Sequence, residues 1–161
     1  MTEKNHHFSF KIAAHINELD AADADLLQQA RQLTAVAYAP YSKFHVASVA
    51  LLANGAMVRG TNQENASYPV GICAERSLLA AVGTQYPNEI IRTIAITYQP
   101  QNEKSNTPIS PCGMCRQSLL EYEARVNHPI RLLLAGAEGP VYIIDTVKHL
   151  LPLAFGSGHL L

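Results

Sequence analysis

Between Asp20 and Pro40 the apolar residues Leu26, Leu27, Ala30, Leu33 and Ala37 recur at helical spacing, with Asp20 at the N-cap position and Asp23 and Asp25 in the first turn. The spacing predicts one amphipathic helix over 21–38. Val46, Ser48, Val49, Leu51 and Leu52 then mark a strand over 45–53, and Asn54-Gly55 signals a type I′ hairpin turn into a second strand at 56–63. Residues 64–72 read as a loop and 73–82 as a buried helix. Ile90, Ile91, Ile94 and Ile96 mark a third strand, and Gln99 to Ser110, the most polar segment, an exposed loop. Pro111 opens another helix carrying Leu119, Leu120 and Tyr122. Strands at 130–135 and 140–144 flank the turn Gly136–Gly139, and a short helix at 146–151 stops at Pro152. Ahead of all this, Phe8, Phe10 and Ile12 alternate with Ser9 and Lys11, the period of a short strand or ordered arm. The order predicts an α/β domain over 1–161, with a mixed five-stranded sheet flanked by helices. Each β-α-β crossover is expected to join parallel neighbours, and residues 1–20 form an extension of unassigned role.

Composition narrows the function. Twelve Lys and Arg against thirteen Asp and Glu leave a formal charge of −1, so no net cationic field holds a nucleic acid polymer. Neither a secretory signal nor a membrane-spanning run is apparent, which points to a cytoplasmic protein without a membrane partner. Three cysteines are an odd number for a disulfide framework, and metal binding or catalysis explains them better.

All three cysteines fall at predicted helix starts, in Cys73-Ala74-Glu75 and in Pro111-Cys112-Gly113-Met114-Cys115. Unpaired N–H groups and the positive end of the helix dipole stabilise thiolates there, and the i, i+3 spacing puts Cys112 and Cys115 on one face. Two such helix ends brought together supply three sulfurs to one Zn²⁺ per chain and leave a fourth position open. Glu75, two residues after a ligand, is placed beside that position as a general acid/base, the arrangement of zinc deaminases with three cysteines. Blander readings exist: each cysteine alone as a small buried residue, Glu75 as a solvated first-turn acid, and the seven histidines as surface or satisfied core residues. A thiol–disulfide oxidoreductase would use Cys112 and Cys115 but leaves Cys73-Ala-Glu75 unexplained. A closed, non-catalytic zinc module would need a fourth ligand, for which His45 is a candidate.

Tyr41-Ser42-Lys43-Phe44, Asn62-Gln-Glu64-Asn-Ala66-Ser-Tyr-Pro69, Gly71-Ile-Cys73-Ala-Glu75-Arg76, Pro111-Cys-Gly-Met-Cys-Arg-Gln117, Leu151-Pro152 and Phe155-Gly156 together resemble the cytidine deaminase family, in its short, homotetrameric branch with three cysteine ligands. The resemblance covers about residues 25–157. It implies a three-layer fold and hydrolytic deamination of cytidine and 2′-deoxycytidine to uridine and 2′-deoxyuridine, with a zinc-activated water and Glu75 as proton shuttle. Asn62 and Glu64 are implied to hydrogen-bond the ribose, backbone near Ala66 to meet the pyrimidine, and Phe44 to lie against the base. Arg76 is implied to donate to the ligating thiolates, and Phe155 to reach the pyrimidine bound in an adjacent subunit. Without the flanking motif, Asn62 and Glu64 would read as turn chemistry, Phe44 and Phe155 as core aromatics, and Arg76 as one side of a surface salt bridge. One departure touches the site: Ala47 stands where the family has Gly.

Overall fold

The computed structural model describes residues 1–160; Leu161, the last residue of the expected domain, lies outside them. Among the described residues there are six strands: β1 (Lys11–Ala13), β2 (Phe44–Leu52), β3 (Met57–Thr61), β4 (Ile91–Pro100), β5 (Arg131–Ala135) and β6 (Val141–Ile144). They form one mixed sheet in the order β1-β6-β5-β4-β2-β3. Three α-helices cover it, α1 (Ala21–Leu33), α2 (Ala74–Gln85) and α3 (Gly113–Val126).

Alternation along the strands divides the core into two layers. Val49, Ala95, Leu133 and Val141 face Leu26, Leu27 and Ala30 of α1, while Ala50, Ile94, Ile96, Leu132 and Leu134 face Leu78 and Val82 of α2 and Leu119 and Tyr122 of α3. With both faces covered, β4 is buried along nearly its whole length, Arg92 and Gln99 excepted, even though Thr93 and Thr97 interrupt its apolar residues. The three-layer α/β arrangement is the expected one.

Several expectations need correction. The sheet has six strands: the end of the Phe8–Ile12 alternation enters β1, which pairs antiparallel with β6, Ile12 opposite Tyr142, while Phe8 and Phe10 precede it outside the ladder. The turn after β2 is not type I′, since Gly55 has φ +85° while Asn54 is not among the positive-φ residues. Instead Gly55 N donates to Leu52 O and Leu52 N to Ala56 O, which makes a three-residue loop ending in a left-handed glycine. Only α3 joins parallel neighbours, β4 and β5. The strands flanking α2, β3 and β4, run the same way but have β2 between them, antiparallel to both. The first helix ends at Leu33 and continues as a 3₁₀ turn over Thr34–Val36, and the segment after β6 is a 3₁₀ helix, Val147–Leu150. The polar 99–110 stretch is not all exposed loop. β4 runs to Pro100, and buried Ser105 donates to Tyr98 O at 2.6 Å and accepts from Ala137 N at 3.0 Å.

Candidate active site

Because β3 and β4 run the same way, the helices that follow them, α2 and α3, start at the same edge of the sheet. Chain direction therefore brings Cys73, the N-cap of α2, to Cys112, the N-cap of α3. Close packing sets the depth of α2: a Cβ on Gly60 of β3 would lie 2.4 Å from Leu78 N and 2.5 Å from Ala74 O, so only glycine fits there. Ser48 of β2 donates its hydroxyl to Ala74 O at 2.9 Å, holding the residue between Cys73 and Glu75.

Cys73, Cys112 and Cys115 bring their sulfurs within 4.8 Å of one another. Cys73 Sγ and Cys112 Sγ are 3.8 Å apart, and Cys112 Sγ and Cys115 Sγ 3.4 Å. Tetrahedral ligands at about 2.3 Å from zinc stand about 3.8 Å apart, so the donor set fits that ion. Its electrostatics also call for a cation. The hydrogen bond from Cys115 pulls the Cys73 thiol down to about 6, against an upward push from burial. Cys115 itself goes up, first because it donates to Cys73 and then because it is buried. Three sulfurs this close cannot all ionise unaided, and a dication among them removes the conflict.

Glu75 is 5% exposed, and burial raises its pKa, opposed by its own backbone N–H and by Cys115. Beside it lies a cavity of about 420 Å³ whose wall includes Phe44, Asn62, Glu64, Cys73, Glu75 and Cys112. Asn62 is clamped to β2: its amide accepts from Val46 N at 2.8 Å and donates to Phe44 O at 2.9 Å. One N–H and one lone pair of that amide remain for a ligand. Glu64 accepts from Tyr41 N at 2.9 Å, from Ser42 N at 3.2 Å and from the Ser42 hydroxyl. Burial is the largest single influence and pushes its carboxyl up, but these hydrogen bonds, with the charge of His45, together outweigh it, and its pKa is lowered. Phe44 stacks on Tyr98 with ring centroids 4.9 Å apart, which fixes its ring at the cavity wall.

Other expected residues stand elsewhere. Ala66 is exposed in the bend after Glu64, outside the cavity wall. Phe155 is 58% exposed and stacks on His159, also away from that wall. Arg76 makes no hydrogen bond to a thiol among the described residues; its charge lowers the Cys73 pKa from a groove lined with Leu79, Tyr122 and Arg125. The guanidinium that does fasten the ligand loop is Arg116, donating to Pro111 O at 2.8 Å and to Leu150 O at 3.0 Å. Its far partner is 34 residues away, and no local pattern announces it. Ile109 and Ser110, at the end of the polar 99–110 segment, line the cavity. Ala47 is fully buried between Thr61 and Thr97, and the Thr97 hydroxyl finds no hydrogen-bond partner among the described residues.

The sulfur group includes no histidine, and His45 Nδ1 instead approaches Gln99 O at 3.2 Å, so the closed site with His45 does not form. A three-sulfur cluster, a buried carboxyl and an adjoining cavity are what a catalytic zinc site requires. The zinc-binding region that defines the cytidine and deoxycytidylate deaminases matches residues 20–127. The chain belongs to this family. It is a zinc-dependent hydrolytic deaminase. The cytidine deaminase of Halalkalibacterium halodurans is 33% identical over 130 residues, covering 81% of this chain and 91% of the relative. A crystal structure of cytidine deaminase from Burkholderia pseudomallei superposes with a TM-score of 0.70 at 34% identity, over 81% of this chain and 97% of that one. The Mycobacterium tuberculosis enzyme gives 0.61 at 28% identity, over 86% and 98%. Among the described residues, no helix of this deaminase is long and apolar enough to cross a membrane.

Proposed function

We propose that the chain, as one domain, converts cytidine and 2′-deoxycytidine to uridine and 2′-deoxyuridine, releasing ammonia. The observation that carries this reading is the buried Glu75 carboxyl beside three converging sulfurs, in the wall of a cavity shared with Phe44, Asn62 and Glu64. Cys73, Cys112 and Cys115 hold one zinc per chain, and zinc when bound brings the pKa of a coordinated water toward about 7. Glu75 takes a proton from the attacking water and passes it to ring N3, which makes C4 electrophilic as the C4–O bond forms. The same carboxyl then takes the proton of the new C4 hydroxyl and delivers it to the amine, so that C4=O forms as the C4–N bond breaks and ammonia leaves. Burial suits it to this work, because raising its pKa makes the carboxylate a stronger base toward the water proton than an exposed glutamate. Three free thiols suit a reducing compartment such as the cytoplasm.

Specificity follows from the sugar side. Asn62 keeps one donor and one acceptor free, and Glu64 is already oriented by Tyr41 and Ser42, so a ribose 3′-hydroxyl completes both. Formation of uracil products, followed by absorbance with cytidine, 2′-deoxycytidine, 3′-deoxycytidine and cytosine, tests the reading. The two 3′-hydroxyl substrates should react with similar efficiency. Those lacking that hydroxyl should lose roughly 10- to 100-fold in kcat/KM, the scale of polar groups left unpaired. Efficient turnover of cytosine contradicts it.

The working enzyme is a homotetramer in this reading, with Phe155 serving a neighbouring site. Phe155 stands apart from its own chain's cavity, and its backbone carbonyl is held by Gln117 Nε2 at 3.0 Å. Next to the catalytic cavity, and sharing Ser42 and Glu64 with it, opens a second recess of about 380 Å³ lined by exposed Tyr41 and Tyr68. An aromatic from another copy can enter there. Phe155→Ala should raise KM several-fold while light scattering still finds a tetramer; a fully active monomer overturns the shared site.

A further inference from the structure

The segment ahead of residue 20 lies outside the family match, and neither the motifs nor the catalytic reading uses it. It is nevertheless ordered against the part of the fold that carries the metal ligands. The 3₁₀ helix Val147–Leu150 lies along α3 and is fastened to it at two points. At its start, buried Glu123 accepts from Val147 N at 3.0 Å and from the Thr146 hydroxyl at 2.6 Å. At its end, Leu150 O accepts from Arg116 at 3.0 Å, and the same guanidinium holds Pro111 O, one residue before Cys112. Positions 116 and 123 are seven apart, about two helical turns, so both anchors lie on one side of α3. The N-terminal arm covers the outside of this assembly. Phe8 stacks on His149 with ring centroids 5.4 Å apart and planes at 27°, and Phe10 packs on Tyr142 at 5.1 Å. His149 Nδ1 is buried and finds no hydrogen-bond partner among the described residues, so the ring is held by stacking and shape.

We propose that Phe8 is a positioning residue for the metal centre, clamping the Val147–Leu150 helix so that Leu150 O holds Arg116, and Arg116 holds the Pro111–Cys112 ligand loop. β1 anchors the clamp, since its pairing with β6 puts Ile12 opposite Tyr142, and Phe10 and Phe8, with ring centroids 6.2 Å apart, lead into it from outside the ladder. This inference rests on the zinc reading above, and the experiment separates the two.

Zinc release from the loaded full-length protein to a colorimetric chelator is the main readout, with amide hydrogen exchange over 147–151 measured beside it. Phe8→Ala should release zinc about two- to tenfold faster and speed exchange in that helix, the span that one aromatic pair commands. Phe8→Tyr, which keeps the stacking face, should restore both. In an Arg116→Ala background, where release is already faster, Phe8→Ala should add nothing further, because the two act in series. A purely structural arm would give additive effects, and additivity overturns the proposal. So does a zinc-loaded wild-type protein whose Phe8→Ala variant keeps the wild-type release rate. A wild-type protein that carries no zinc overturns instead the three-thiolate site on which the inference rests.

Discussion

Glu75→Gln lowers kcat for cytidine by on the order of 10²–10⁴, the usual contribution of a positioned acid/base, and leaves the zinc content unchanged. The amide is nearly isosteric, so the packing around this 5%-exposed side chain survives. In the proposed mechanism, what is lost is the group that carries one water proton to N3 and the second to the leaving amine. Because one carboxyl serves successive transfers, the loss falls on kcat more than on KM. Two measurements check this: steady-state uridine formation, and metal analysis of the same preparation. Near wild-type kcat with full zinc would remove Glu75 from the mechanism.

Cys112→Ala abolishes zinc binding at micromolar metal and takes activity with it. Cys112 is the exposed member of the cluster, so its removal costs little packing and the effect reports on the metal. The remaining pair, Cys73 and Cys115, cannot close a three-sulfur site. Affinity should therefore fall by more than the roughly 10–100-fold that attends loss of an outer partner to a ligand. His45→Ala is the control and should keep full zinc, since its ring is turned to Gln99 O. Metal retention in Cys112→Ala, or metal loss in His45→Ala, would refute the three-thiolate assignment. The bound ion also links to stability, because anything that binds the folded chain alone raises its melting temperature. The wild-type protein should lose that increment in chelator, and Cys112→Ala should show none to lose.

Local chemistry was legible in the residues alone. Pro111 before Cys112, the i, i+3 step to Cys115 and the two-residue offset from Cys73 to Glu75 each act within one helical turn, and the helices start one and two residues after the expected Cys73 and Pro111, which leaves Cys73 and Cys112 as their N-caps. Strand and helix types followed for the same reason, since side-chain period and turn residues operate over a few positions. Three-dimensional pairing decided the rest. That β2 lies between β3 and β4, and so turns both helix starts to one edge, depends on which strands pair across long loops. Spacing cannot state that. The clamping of Asn62 on Phe44 and Val46, and the reach of Arg116 to Leu150 O, join residues 16 to 34 positions apart. The sixth strand shows the boundary most clearly: alternation over Phe8–Ile12 announced a short strand or an ordered arm, and only the free edge of β6, with Tyr142 and His149 to receive the two phenyl rings, decided that Lys11–Ala13 joins the sheet while Phe8 and Phe10 pack beside it. Sequence thus determined the chemistry each segment carries, because that chemistry is local; tertiary structure decided which segments meet, because packing and strand pairing are not.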